Sequence, residues 1–188
     1  MPGAPGPAPS AWPKPCCCPD RLAPRMTGQL RIALADYADA GHARALVELL
    51  DAYARDPAGG AEPLSPYARE HLVAELAARP QAYSVLAFAG AQAVGLVNCI
   101  EGFSTFACRP LVNVHDVVVL QAFRGLGVAA LMLDLAEALA RQRGAVKLTL
   151  EVLQGNHGAL RLYQRIGFAP YQLDPALGQA VFLQKWLS

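Results

Sequence analysis

Val117-Val118-Val119-Leu120-Gln121-Ala122-Phe123-Arg124-Gly125-Leu126-Gly127-Val128-Ala129-Ala130-Leu131-Met132-Leu133 is the stretch on which the reading of the chain turns. A β-branched apolar run, a short loop with an arginine and two glycines, and an alanine- and leucine-rich run at helical spacing predict strand, tight turn and helix. The first turn of such a helix leaves backbone N–H groups without intrahelical partners, and these attract anions. Glycine at 125 and 127 lets the backbone approach a ligand with no Cβ between them. Arg124 adds a cation at the same mouth, so the donors from about Leu126 to Ala130 are expected to face a pyrophosphate.

Working toward the N-terminus, the valine content of Leu111 to Leu120 predicts a strand covered on both faces. Before it, Tyr83–Ala89 and Ala93–Ile100 are apolar runs joined by Gly90-Ala91-Gln92, the signal of an antiparallel hairpin. Two helices precede the hairpin. The first carries Ala43, Leu46, Val47, Leu50 and Ala54, with Asp36 as its expected cap. The second opens at Ser65-Pro66 and stops at Pro80. Leu30–Ala35 is expected to be the first strand.

Toward the C-terminus, the helix after the turn is expected to bury Val128, Leu131, Met132, Leu135 and Leu139 and to end at Gly144. Val146–Leu153 then reads as a strand, and Asn156 as the cap of a last helix that stops at Gly167. Phe168–Leu173 and Ala180–Trp186 read as two closing strands. The elements alternate around one mixed sheet, which is an α/β plan in one domain over residues 26–188.

Residues 1–25 stand apart. They place Pro2, Pro5, Pro7, Pro9, Pro13 and Pro15 among alanines, with neither an apolar leader core nor a helical period, and are expected to be a disordered tail. Met26 follows directly, which raises a translation start there as an expectation. The 188 residues are 54% apolar, enough for a substantial core, and the formal net charge is +1 with Lys and Arg scattered. That pattern gives no electrostatic case for a nucleic-acid partner. No apolar run has the length of a membrane span. The five cysteines include the adjacent Cys16, Cys17 and Cys18, which lack zinc-ligand spacing; an unpaired set of this kind points to a reducing, cytoplasmic setting and to no metal. Cys99 and Cys108 have no partner signature for nucleophilic catalysis.

The turn has rival readings. Gly125-x-Gly127-x-x-Ala130 meets the relaxed dinucleotide fingerprint, and Glu151 lies downstream, which would make the protein a Rossmann-type oxidoreductase. Against it, four residues separate the strand from the first glycine, and the hairpin before it is no βαβ unit. A triphosphate-binding loop fails because no Gly-Lys-Ser/Thr follows.

A second motif bears on the choice. Asn156-His157-Gly158-Ala159-Leu160-Arg161-Leu162-Tyr163, then Gly167-Phe168, sits downstream of Arg124-Gly125-Leu126-Gly127-Val128-Ala129. Together and in this order they resemble the GNAT superfamily of acyl-CoA-dependent N-acyltransferases, with Gln121 where many members carry proline. The resemblance implies a mixed, mostly antiparallel sheet of 6–7 strands with about four helices, the fourth and fifth strands splayed apart. It implies acetyl-CoA as cosubstrate, no metal, and direct transfer to a small-molecule or peptide amine. The pyrophosphate would rest on Arg124, Gly125, Leu126, Gly127, Val128 and Ala129, with Asn156 lining the same cleft. The pantetheine arm would pair with the backbone of Val117, Val118 and Val119, where a strand N–H faces the thioester oxygen.

The same resemblance makes Tyr163 the general acid, a role a phenol suits because it stays protonated at neutral pH. His115 falls where many members place a base-like glutamate on the fourth strand, and imidazole accepts a proton at neutral pH. Asp116 is the neighbouring candidate. Strand alternation predicts that only one of the two views the acceptor cleft. The acceptor pocket is expected between the loop joining the first two helices and the last hairpin, from Asp56, Glu62, Tyr67, Tyr171 and Asp174. A non-catalytic acyl-CoA-binding module is the rival from another class. The acceptor amine, the acyl chain length and homodimerisation stay open.

Overall fold

A computed structural model describes residues 30–171, 174, 176, 178 and 180–187. The proline-rich tail, residues 1–25, lies outside the described residues. The order is β1 (Leu30–Leu34), α1 (Ala40–Ala54), α2 (Pro66–Ala77), β2 (Ala82–Ala89), β3 (Gln92–Ser104), β4 (Arg109–Val119), a 3₁₀ turn (Gln121–Phe123), α3 (Val128–Gln142), β5 (Leu148–Leu150) and α4 (His157–Arg165). The five strands lie side by side in chain order. Strands β1 to β4 pair antiparallel, whereas β5 pairs parallel to β4. The sheet is therefore mixed and mostly antiparallel.

Two apolar layers explain why the strands are so rich in valine. Val85, Val97, Val112 and Val114 face α3 and α4, where they meet Val128, Met132, Ala136 and Tyr163. On the opposite face, Leu86, Leu96 and Val118 meet Leu46 and Leu49 of α1, with Leu72 and Leu76 of α2 outside them. A strand buried on both faces needs apolar residues at consecutive positions rather than alternate ones. Each fully buried Leu or Val contributes about 1.5–3 kcal/mol of transfer free energy.

Several expectations are corrected. Six or seven strands are not found: among the described residues the sheet has five. Phe168–Tyr171 and Ala180–Trp186 form no strand; Gln172 and Leu173 lie outside the described residues. Pro170 removes a ladder donor there, and β5, only three residues long, offers a short edge. Val181, Phe182 and Trp186 consequently stay exposed. The cap of α1 is Asp39 rather than Asp36, its carboxylate accepting from His42 N. Asp36 instead accepts from Ala38 N inside the connecting turn. In α3, Leu131 is 46% exposed, whereas Leu133 is buried with Met132 and Ala136. The covered stripe of α3 is thus shifted by one residue, about a quarter of a turn, from the expected one.

Candidate active site

The pairing of β4 with β5 ends early. Val112, Asn113 and Val114 face Leu148, Thr149 and Leu150, and beyond Val114 no strand among the described residues pairs with this side of β4. The other side stays in register with β3 up to Val119. Leu120 N donates to Val94 O across that ladder, so the backbone groups of Val118 and Leu120 face β3. Backbone groups alternate along a strand, so Val117 and Val119 turn theirs to the open side. Pairing on this side of β4 therefore stops at Val114, leaving the main-chain groups of Val117 and the N–H of Val119 free, while the Val119 carbonyl accepts from Arg124 Nε.

The chain leaves this edge through the 3₁₀ turn into Gly125 and Gly127, whose φ values are +78° and +81°. Left-handed backbone at these two positions suits glycine, because a Cβ there crowds the following carbonyl. The volume a Cβ would fill is open at both. Gly127 caps α3 without any side chain to satisfy the first turn. The N–H groups from Gly125 to Ala130 have no acceptor among the described residues. A row of free donors at the positive end of a fifteen-residue helix favours an anion.

Arg124 is arranged differently from the expectation. Its Nε donates to Val119 O at 3.0 Å, and its terminal nitrogen donates to Asp56 Oδ2 at 2.9 Å. The guanidinium thus ties the loop to the end of β4 and to the connection between α1 and α2. Arg124 in turn holds the Asp56 carboxyl below the usual carboxylate range. The unpaired donors of the loop are main chain, and Arg124 ties down the loop that carries them.

On α4, Asn156 caps the helix by accepting from Ala159 N at 3.2 Å. Two turns on, Tyr163 is buried, edge-on to Phe168 at 5.9 Å between ring centroids. Gly167, at φ +101°, turns the chain so that Phe168 N returns to Tyr163 O at 2.9 Å, which is why Gly-Phe follows this tyrosine. Burial pushes the Tyr163 phenol up to about 12, with a smaller contribution from Tyr53. Its hydroxyl makes no hydrogen bond among the described residues, and no fully buried side-chain oxygen lacks a partner, so the phenol oxygen reaches accessible space.

The register of β4 corrects the alternation argument. Asn98 pairs with Asp116 and Cys99 with Val114, which leaves His115 as the extra residue of a β-bulge. Val112 and Val114 face the α3–α4 layer. Asn113 and His115, whose side chains approach at 3.3 Å, therefore face the α1–α2 side. After the bulge, Asp116 bonds to Asn98 and Val118 joins the α1 layer, again on that side. His115 and Asp116 thus share one face, and His115 is exposed there.

Two residues were missed from the sequence. Tyr53, in the last turn of α1, has its phenol raised by burial and then by the charges of Asp116 and Asp56. It lies electrostatically between Asp116 and Tyr163. Asn98, a buried amide in the run Val94–Cys99, donates to Asp116 Oδ2 at 2.9 Å. One polar residue in an apolar strand was the available signal. Of the expected acceptor residues, Asp56 joins this group through Arg124. Tyr67 is 66% exposed and stacks on His71 instead. Tyr171 lies under Lys147, and Asp174 accepts from Ala176 N. Among the described residues no cluster of three metal-ligating side chains occurs, and no helix is long and apolar enough to cross a membrane. Cys99 is buried and its thiol pushed up to about 12, mainly by desolvation.

Known proteins similar to this chain were found by sequence and by fold. The streptothricin acetyltransferase of Streptomyces lavendulae is 37% identical over 90 residues, which are 46% of this chain and 48% of that protein. The chain thus spans about half the length of the curated relatives it matches. A probable acetyltransferase of known structure superposes with a TM-score of 0.70 at 21% identity, covering 84% of this chain and 99% of that one. The aminoglycoside N-acetyltransferase AAC(6')-Iy, solved in complex with CoA, gives a TM-score of 0.65 at 18% identity over 87% of this chain and 99% of that one. The model of the Acetyltransferase (GNAT) family matches residues 46–168, which hold the strand, the loop and both motifs. The chain belongs to the GNAT family of acetyltransferases.

Proposed function

We propose that the protein transfers an acetyl group from acetyl-CoA to a primary amine, directly, in a ternary complex. The observation that carries this reading is the parting of β4 from β5 immediately before a loop of unpaired N–H donors. An anionic pyrophosphate at the loop leaves its pantetheine arm running along the open backbone of Val117 to Val119. The cosubstrate supplies an activated thioester carbonyl. The protein supplies position and proton management.

The work divides among named groups. N–H donors from Gly125 to Ala130 neutralise the phosphates without the cost of burying a cation. An outward N–H at Val117 or Val119 meets the charge that develops on the thioester oxygen, an oxyanion-type stabilisation from main chain. Tyr163, neutral far above physiological pH, donates to the departing sulfur. His115, exposed beside the opening, accepts a proton from the incoming amine. Asn156 lines the cleft while capping α4.

An amine-panel screen with thiol detection of released CoA tests the reading. Amine-dependent thiol release is the expected result. Tight CoA binding without release by any amine is the outcome for a non-catalytic acyl-CoA-binding module, and it overturns the proposal. Thermal stabilisation by NAD(P)H and not by CoA is the outcome for the oxidoreductase reading, and it does the same.

A further inference from the structure

Four side chains form a line of hydrogen bonds across β2, β3 and β4 on the α1–α2 side of the sheet. Asn98 Nδ2 donates to Asp116 Oδ2 at 2.9 Å, and Ser84 Oγ donates to Asn98 Oδ1 at 2.6 Å. The single Ser84 proton is thereby used. At the 2.9 Å contact between Tyr37 and Ser84, Tyr37 must therefore be the donor. Every donor in the line points the same way, and the line ends on a carboxylate.

This direction has chemical content. Reversing the Asn98 amide sets its oxygen against the Asp116 carboxylate, so the amide is locked by that neighbour. Ser84 and Asn98 are both buried, and burying polar groups is costly unless each is satisfied. All of them are satisfied here, and what they hold in place is one oxygen of Asp116. The other oxygen has no partner among the described residues. A charge-assisted bond to Oδ2 fixes the carboxylate while leaving Oδ1 as an oriented acceptor. The bulge sets His115 beside it on the same face, and the free backbone edge begins at the next residue, Val117.

On the reading of the protein as an amine acetyltransferase, we propose that Asp116 binds the ammonium group of the acceptor and that Asn98, Ser84 and Tyr37 are its positioning residues. The acceptor is then a cationic alkylamine rather than an amine that is neutral at neutral pH. An alkylammonium, with a pKa near 10, is too weak an acid to protonate a carboxylate, so Asp116 binds and does not act as the base. His115 takes the first proton and passes it to solvent. The neutral nitrogen then forms the C–N bond at the thioester carbon, and the C–S bond breaks. Sulfur takes the Tyr163 proton, and the second proton lost from nitrogen restores the phenol.

The test compares wild type, Asp116→Asn, Asp116→Ser and Asn98→Ala on a series of alkylamines from ethanolamine to 1,4-diaminobutane and on aniline, which is uncharged at pH 7.5. Both Asp116 variants are expected to raise KM for the alkylamines by about 30- to 100-fold, the loss of one charge-assisted contact. Asn98→Ala is expected to raise it about tenfold. The kcat for alkylamines, the turnover of aniline and the KM for acetyl-CoA stay within about threefold of wild type on the same grounds. Unchanged KM in both Asp116 variants overturns the assignment while acetyl transfer stands. An equal loss of aniline turnover overturns it as well, because that is the mark of a merely structural residue. No thiol release by wild type with any amine overturns both readings together.

Discussion

The two faces of β4 are built on opposite principles. Toward α3 and α4 it presents Val112, Val114, Val117 and Val119, packed against Val128, Met132 and Tyr163. Toward α1 and α2 it presents Asn113, His115, Asp116 and Val118, and hydrogen bonds rather than apolar contacts hold most of these. One β-bulge at His115 allows both, because it shifts the alternation by one residue halfway along the strand. The apolar face gives rigidity to the edge along which the donor is proposed to lie. The polar face can afford exposed chemistry because that rigidity is supplied from behind.

The largest effect is expected from removing the Tyr163 hydroxyl on the apolar side. Tyr163→Phe keeps the ring and its packing on Phe168, so folding and acetyl-CoA affinity should persist while turnover falls about 100-fold or more. Steady-state kinetics with calorimetric binding checks this, and unchanged turnover removes Tyr163 from the mechanism. A smaller effect is expected from Gly127→Val. Left-handed backbone costs a β-branched residue on the order of 1–2 kcal/mol, so acetyl-CoA affinity should drop about tenfold, measured by calorimetry.

Smaller again is the effect of cutting the tie between the two sides. Arg124→Ala and Asp56→Asn each remove one exposed ion pair, and either should cost less than about 1 kcal/mol of stability. Both should weaken acetyl-CoA binding by the same few-fold factor if Arg124 acts through the loop and not on the ligand, since 1 kcal/mol is about fivefold. A large loss with Arg124→Ala alone assigns the guanidinium to the pyrophosphate instead. A separate effect falls on alkaline stability. The folded-state pKa of Tyr163 is raised above its unfolded value of about 10, so its contribution is complete below pH 10 and is lost as pH rises toward about 12. Tyr83, raised further by burial, extends the loss to higher pH. Denaturant titrations at pH 8, 10 and 11.5 should show a decline that Tyr163→Phe reduces.

What the sequence conveyed, and what it did not, follows the same division. The apolar face was legible: consecutive valines, two glycines in a turn, and Asn156 with Tyr163 seven residues later are local signals, and each lands on the element expected. The polar face was largely illegible. The Asn98 to Asp116 contact joins residues on different strands, and no spacing in the sequence announces it. The bulge is equally silent, because nothing in Val114-His115-Asp116 distinguishes an extra residue from a paired one. The ion pair of Arg124 is silent too, because its partner Asp56 is 68 residues away. The closing strands were misread because apolar content alone does not guarantee a ladder partner.

The central claim, that the open edge of β4 and the unpaired loop hold acetyl-CoA, is tested most directly by assigned backbone amide NMR of the protein titrated with acetyl-CoA. The account predicts the largest shifts at Val117, Val119 and Gly125 to Ala130, with β1 and β2 unmoved. Shifts concentrated on β1, β2 or α1, with the loop amides unchanged at saturation, would contradict it.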